Sequence, residues 1–378
     1  MTARSTSFLE READVGFDLQ PTDEQRALQE TLRDFAREVL RPGARDCESA
    51  RAVPDEMARQ VHEIGVAAPV DEAYGGGGTF DAVTYCMGAE ELAWGDPAIA
   101  YQLLGSGLAA IALGLAGSEE QKADYMPAFA QATPAASFVA VGEKVAGGDI
   151  ESLATAIDDG RVTGTKYGVL NAATAGVGIV LGRSHQGPAA AVVRPASFEI
   201  VKPEEKLGLE AAPTSVVRFE GPGDVLPPGE GLNKAVLWSK LLTGAVAIGC
   251  ARASFEYAAR YATEREAFGK PIGAFQGISF RIADMAIEID AARLTLWRAA
   301  WKLDRGEATQ ADVAEANGNA LQAAVRCGDD GVQVLGGHGY IRDHPVEKWF
   351  RDAVTLSVFD APDVLGDAMV ARSVPVGG

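Results

Sequence analysis

The chain of 378 residues lacks the spacings that metal and redox chemistry leave in a sequence. Its four cysteines, Cys47, Cys86, Cys250 and Cys327, stand singly with no CxxC, so they form neither a disulfide framework nor a thiolate metal site. They read as reduced structural thiols. His62, His185, His338 and His344 make no HExxH or related cluster, and no protein-held metal is expected. GxxxxGKS and GxxxxGKT are missing, which excludes a P-loop, and the absence of GxSxG removes the nucleophile-elbow hydrolases. Four adjacent glycines, Gly75 to Gly78, lack GxGxxG spacing and no strand-forming run precedes them. They read as a loop, not a Rossmann turn.

Positive charge is also scarce. Lys and Arg total 34 against 53 Asp and Glu, a formal net charge of −19, and no basic run concentrates what there is. Such a body repels polyanions, so neither nucleic acid nor an anionic membrane surface is an expected partner. The first residues carry no apolar signal core, and the apolar stretch at 169–182 is short and broken by Asn, Thr and Gly. No membrane span or export is expected, and the location expected is cytoplasmic.

The apolar fraction of 47% with 23% charged residues is that of a globular protein, and the length suggests two to three domains at about 150 residues each. The first part, 1–130, reads as helical. Thr22 and Gln25 form a capping box ahead of Leu28, Leu32, Phe35 and Val39, with Pro42-Gly43 expected to end that helix. Helical periodicity returns at 55–64, 80–94 and 99–116. The middle, 131–228, changes to short β-branched runs at 137–141, 154–157, 178–181, 190–193 and 215–219. Turns such as Asp158-Asp159-Gly160 punctuate them, and an antiparallel, barrel-like β domain is expected. The remainder, 229–378, is helical again and reads as a four-helix-type domain, with Ile282, Met285, Ile289, Ala292 and Leu296 striping one long helix. The fold class is therefore α+β in the order helical, β, helical.

Two places invite chemistry. Gly336-Gly337-His338-Gly339 is either an ordinary interhelical turn or a close backbone approach to a phosphate. Asp360 sits in the mostly apolar run Ser357-Val358-Phe359-Asp360-Ala361-Pro362. It is either a helix N-cap or a desolvated carboxylate with a raised pKa, suited to taking a proton next to a carbonyl.

Three segments resemble the acyl-CoA dehydrogenase family. They are Tyr261 to Gln276, containing Arg265, Phe268-Gly269-Lys270 and Gln276; Gln333 to Lys348 followed by Arg351-Asp352-Ala353; and Glu72-Ala73-Tyr74-Gly75-Gly76 with Glu90-Glu91-Leu92-Ala93. The resemblance runs from Asp18 to Arg372 and implies FAD, an acyl-CoA thioester and α,β-desaturation to a 2-enoyl-CoA, with an electron-transferring flavoprotein as acceptor. It places the catalytic base on Asp360. The family's alternative base position falls on Ser239, which cannot do that work. Arg265, Phe268, Gln276, Gln333, Gly336 and Gly337 fall where a subunit reaches the pyrophosphate and adenosine of a neighbour's FAD. The positions that grip the isoalloxazine with hydroxyls and an aromatic ring read Gly142, Gly148, Gly168-Val169-Leu170 and Ala361-Pro362 here. The resemblance thus implies one subunit of a heteromeric α2β2 enzyme with a degenerate flavin pocket of its own. Two alternatives are a homo-oligomeric dehydrogenase using Asp360 and a non-redox acyl-CoA-binding or assembly subunit.

Overall fold

Thr22 Oγ1 accepts from the Gln25 N–H at 3.2 Å, and Gln25 Oε1 accepts from the Thr22 N–H at 3.0 Å. This capping box starts α1 (Asp23–Phe35) in a computed structural model that describes residues 20–131, 135–144 and 152–358. Pro42-Gly43 does not end the helical path. A π turn at Ala36–Leu40 comes between, where the Arg41 N–H reaches back to the Ala36 carbonyl, and Pro42 falls in the first turn of α2 (Arg41–Ala50). Leu40 keeps helical angles, so the helix runs on, and the π turn shifts the hydrogen-bond register at the point where the proline supplies no N–H. α3 (Asp55–Ile64), α4 (Ala82–Gly95), α5 (Pro97–Ala116) and α6 (Glu119–Tyr125) complete the N-terminal helices.

The strands are β1 (Ser137–Ala140), β2 (Ala156–Asp158), β3 (Arg161–Leu170), β4 (Val177–Ser184), β5 (Gly187–Val193), β6 (Phe198–Pro203), β7 (Thr214–Pro222) and β8 (Asp224–Val225). They form one sheet in the order β6-β7-β3-β2-β4-β5-β8, with β1 added beside β4. The expectation of an antiparallel domain needs correcting in one place: β1 runs parallel to β4, and β2 touches β4 in the same sense. The β2–β3 hairpin lies between β1 and β4 in the chain, and it supplies the crossover that a parallel pair requires. Asp159 (φ 50°) and Gly160 (φ 70°) make the tight turn of that hairpin, both in the left-handed region that a two-residue connection of this hand demands.

The C-terminal part comprises α7 (Glu230–Glu264), the short strands β9 (Glu266–Ala267) and β10 (Lys270–Pro271), α8 (Gln276–Asp304), α9 (Gln310–Leu335) and α10 (Val346–Val358). α5 and α7 are apolar on nearly every side, and each is long and apolar enough to cross a membrane by length and composition. Yet 78% and 83% of their most apolar windows are buried in the protein. The most apolar stretch is thus the interior of these two helices rather than 169–182. Residues from α1, α4, α5, α7, α8, α9 and α10 share one core, with Leu32, Leu92, Leu104, Leu241, Leu321 and Leu356 all fully buried.

Two charged joints fix the parts relative to one another. Lys348 on α10 is buried between Asp96, which caps α5, and Asp352 at 2.7 Å. Asp352 in turn accepts from the Leu209 N–H at 2.6 Å, and Thr355 from the Gly208 N–H at 2.8 Å, so α10 holds the β-domain loop as well. On the other side of the core, Glu90 and Glu91 of α4 receive Arg252 of α7, Arg293 of α8 and Arg33 of α1.

Candidate functional site

Arg265 follows the last residue of α7, and its carbonyl accepts from the Ile272 N–H at 2.8 Å across the β9–β10 hairpin. Phe268 (φ 52°) and Gly269 (φ 80°) turn that hairpin, and the Phe268 ring is 97% exposed, touching only Phe275 edge-on among the described rings. Gln276 is the first residue of α8, where backbone N–H groups lack helical partners and favour an anion.

α9 runs antiparallel to α8. Arg281 pairs with Asp330, and Arg326 pairs with Glu288 at 2.8 Å. That register sets Gln276 level with the end of α9, where Gln333 occupies the last turn and Gly336 (φ 59°) breaks the helix. Nothing lies within 4 Å of a Cβ built on Gly336 or Gly337, whereas one on Gly339 would come within 2.4 Å of the Val332 carbonyl. The turn is therefore held tight at Gly339 and left open at Gly336 and Gly337. Tyr261, one turn before Arg265, meets His338 Nδ1 at 3.5 Å and ties the α7 end to this glycine turn. All six residues singled out for the adenosine side, Arg265, Phe268, Gln276, Gln333, Gly336 and Gly337, are exposed at this end of the C-terminal helices. Tyr261 and His338 stand inside the motifs read from the sequence but carried no role there, because no spacing reports their contact.

The β-domain side is closed. Gly142 accepts from the Tyr167 N–H at 2.9 Å, and the Gly168 N–H (φ 67°) already donates to Glu204 at 2.9 Å. Leu170 turns into the helical core against Gly105 of α5. The described residues leave a cavity of about 30 Å³ between Tyr101, Gly105, Val139, Gly142, Gly168 and Leu170, room for a water or two. Behind it Lys166, fully buried, binds Glu143 at 2.8 Å. Burial opposes charge on Glu143, but Lys166, the Thr155 hydroxyl and the Ala154 N–H outweigh it and hold the carboxyl at about 2. The described stretch of this wall does not fit a three-ring isoalloxazine: Gly142, Gly168, Val169 and Leu170 bring no hydroxyl, and the Gly142 carbonyl and the Gly168 N–H are already paired. The exposed end bearing Arg265 does fit a pyrophosphate. Asp360, Gly148, Ala361 and Pro362 lie outside the described residues. At Ser239 the hydroxyl donates to the Val236 carbonyl at 2.8 Å.

Comparison with known proteins places these features. The profile described as acyl-CoA dehydrogenase, N-terminal domain, matches residues 22–133, and that of the C-terminal domain matches 231–373. A probable acyl-CoA dehydrogenase of Bacillus subtilis is 31% identical, over 93% of this chain and 98% of its own length. Among solved structures, butyryl-CoA dehydrogenase from Megasphaera elsdenii is 26% identical with a TM-score of 0.85, covering 94% of this chain and 99% of its own. A glutaryl-CoA dehydrogenase in complex with glutaryl-CoA is 28% identical with a TM-score of 0.84, covering 94% of this chain and 96% of its own.

Proposed function

Because the chain belongs to the acyl-CoA dehydrogenase family of FAD-dependent oxidoreductases, we propose that it works as one subunit of a heteromeric enzyme that desaturates an acyl-CoA thioester to the 2-enoyl-CoA. In this reading a second dehydrogenase subunit holds the flavin ring, and this chain completes the pyrophosphate and adenosine end of that FAD through Arg265, Gln276, Gln333 and the Gly336-Gly337 turn. An electron-transferring flavoprotein takes the electrons.

The observation that carries the reading is the asymmetry between the two ends of the site. The anion-binding end is open and exposed, while the β-domain wall is closed by Leu170 and the Glu204–Gly168 contact. An exposed apolar stripe supports the pairing with another subunit. Phe280, Ile287 and Leu294 recur every seventh residue along α8 and are 62%, 67% and 40% exposed, an apolar stripe of the kind that helix pairing covers. A pyrophosphate needs only a few local donors such as Arg265, so the net charge of −19 does not exclude it.

The test is flavin stoichiometry. Purified alone, the chain is expected to carry little visible flavin absorbance. Coexpressed with the second subunit, it is expected to copurify as a yellow complex with less than one FAD per chain. A stoichiometric yellow homo-oligomer overturns the reading. Asp360→Asn in the coexpressed complex then reports whether Asp360 takes the α-proton: bleaching by an acyl-CoA is lost if it does and unchanged if the partner supplies the base.

A further inference from the structure

The loop that carries the four glycines has no part in the site described above, yet the residues flanking them, Asp71, Ala73, Tyr74, Thr79 and Phe80, line an apolar chamber. Beneath residues 71–80 lies a cavity of about 500 Å³, within the range of small-molecule sites. Its walls are Tyr74, Phe80, Ile111, Leu115, Met126 and Trp238. Trp238 packs on Tyr85 at 5.2 Å and Tyr85 stacks on Phe80 at 5.7 Å, so one side is a fixed aromatic panel.

The glycines shape the roof. Gly75 (φ 86°) and Gly78 (φ 109°) take left-handed turns, and the Gly78 N–H donates to the Val70 carbonyl at 3.0 Å. A Cβ on Gly76 would come within 2.0 Å of that same carbonyl, so the loop can fold this closely only without side chains. Tyr74 reaches from the loop to Glu119 of α6 at 3.0 Å and spans the mouth. Gly114 exposes the α5 backbone as part of the lining, with nothing nearer to its built Cβ than Met126 Cε at 3.8 Å.

Charge at the rim narrows the occupant. Asp71 and Glu119 face a single cation, Lys122, which Glu119 already binds at 3.0 Å. The rim is net negative and its ammonium is engaged, so a ligand bearing a free carboxylate or sulfonate is disfavoured, while the apolar walls reward burial of hydrocarbon.

We propose that this chamber is a binding site for an uncharged hydrocarbon group, separate from both the Arg265 surface and the closed β-domain wall. The proposal is independent of the flavin reading and is tested on the isolated full-length chain with two fluorescent probes of the same ring system. These are uncharged N-phenyl-naphthylamine and its anionic counterpart, anilinonaphthalene sulfonate. The neutral probe is expected to bind and the sulfonate to bind more weakly. Gly114→Leu, which fills the chamber from an exposed helix position, and Thr79→Trp, which blocks the mouth from an exposed loop position, are each expected to weaken the neutral probe by roughly tenfold or more. Circular dichroism melts of both variants check that the fold is kept. No binding of the neutral probe, equal binding of the sulfonate, or unchanged affinity in both folded variants overturns the proposal.

Discussion

Leu170 lies over Gly105: a Cβ built on Gly105 would come within 2.5 Å of Leu170 Cδ2. The strand end of the β domain is thereby locked into α5 at the one helix position where only a hydrogen faces it. Gly105→Ala should destabilise the chain by about 1–3 kcal/mol through overpacking, although alanine is the better helix former. Leu170→Ala alone should cost about 2–5 kcal/mol. In the Leu170→Ala background the Gly105→Ala change should become neutral or stabilising. Urea melts of the four proteins in a double-mutant cycle check this, and additive costs would show that the two side chains do not oppose each other.

Lys348 is expected to be a stability residue of the first rank. It is 2% exposed and balances two fully buried carboxylates from different parts of the fold. Lys348→Met should cost about 3–5 kcal/mol at neutral pH, because Asp96 and Asp352 are left together without a cation. Desolvation already pushes Asp96 upward, with Lys348 opposing it. Without Lys348 the buried Asp96 carboxylate should take up a proton more readily than in the unfolded chain, so the mutant's deficit should shrink as the pH falls. A thermal-melt series in pH on both proteins measures it, and a deficit independent of pH would argue for lost packing instead of lost charge.

How far the sequence reaches is visible in particular elements. The Thr22–Gln25 box and the 55–64 helix were legible because a cap and a run of apolar residues are local signals. Pro42 was not, since its tolerance depends on the π turn before it. β3, the ten-residue strand between β2 and β7, escaped notice because Arg161, Thr163, Thr165 and Lys166 interrupt its apolar pattern. Lys166 is buried there only because Glu143 comes from elsewhere to meet it. The site shows the same division. The family resemblance singled out Arg265 and the glycine turn, but their joining through Tyr261 and His338, and the closing of the β wall by Leu170 and Glu204, are tertiary contacts with no local trace.

Lys166 and Glu143 give a second pH signature, from a carboxyl shifted the other way from Asp96. Glu143 is held at about 2 against an ordinary 4.5, so the folded chain binds this proton less readily than the unfolded one. Its contribution to stability is therefore complete above about pH 4.5 and drains away as the pH falls towards 2. Lys166→Met should cost about 3–5 kcal/mol at neutral pH. The gap between mutant and wild type should narrow below pH 4.5, which acid titration of both melts will show.

Arg265 separates binding from folding. It is exposed, and no described side chain engages its guanidinium within salt-bridge distance, so Arg265→Ala should leave the melting temperature of the isolated chain unchanged. A charge-assisted bond to a phosphate is worth about 1.5–3 kcal/mol, and its loss should therefore weaken FAD retention by roughly tenfold or more in the coexpressed complex. Gln333→Ala, one α9 turn before the glycines, should act in the same direction with a smaller effect, since a neutral bond is worth about 0.5–1.5 kcal/mol. Lys should rescue Arg265 only in part, because it offers a point charge where a planar fork can bind two oxygens. Flavin retained after gel filtration at rising salt measures all three. If Arg265→Ala keeps its flavin as wild type does, the exposed end of α7 is not where the pyrophosphate sits.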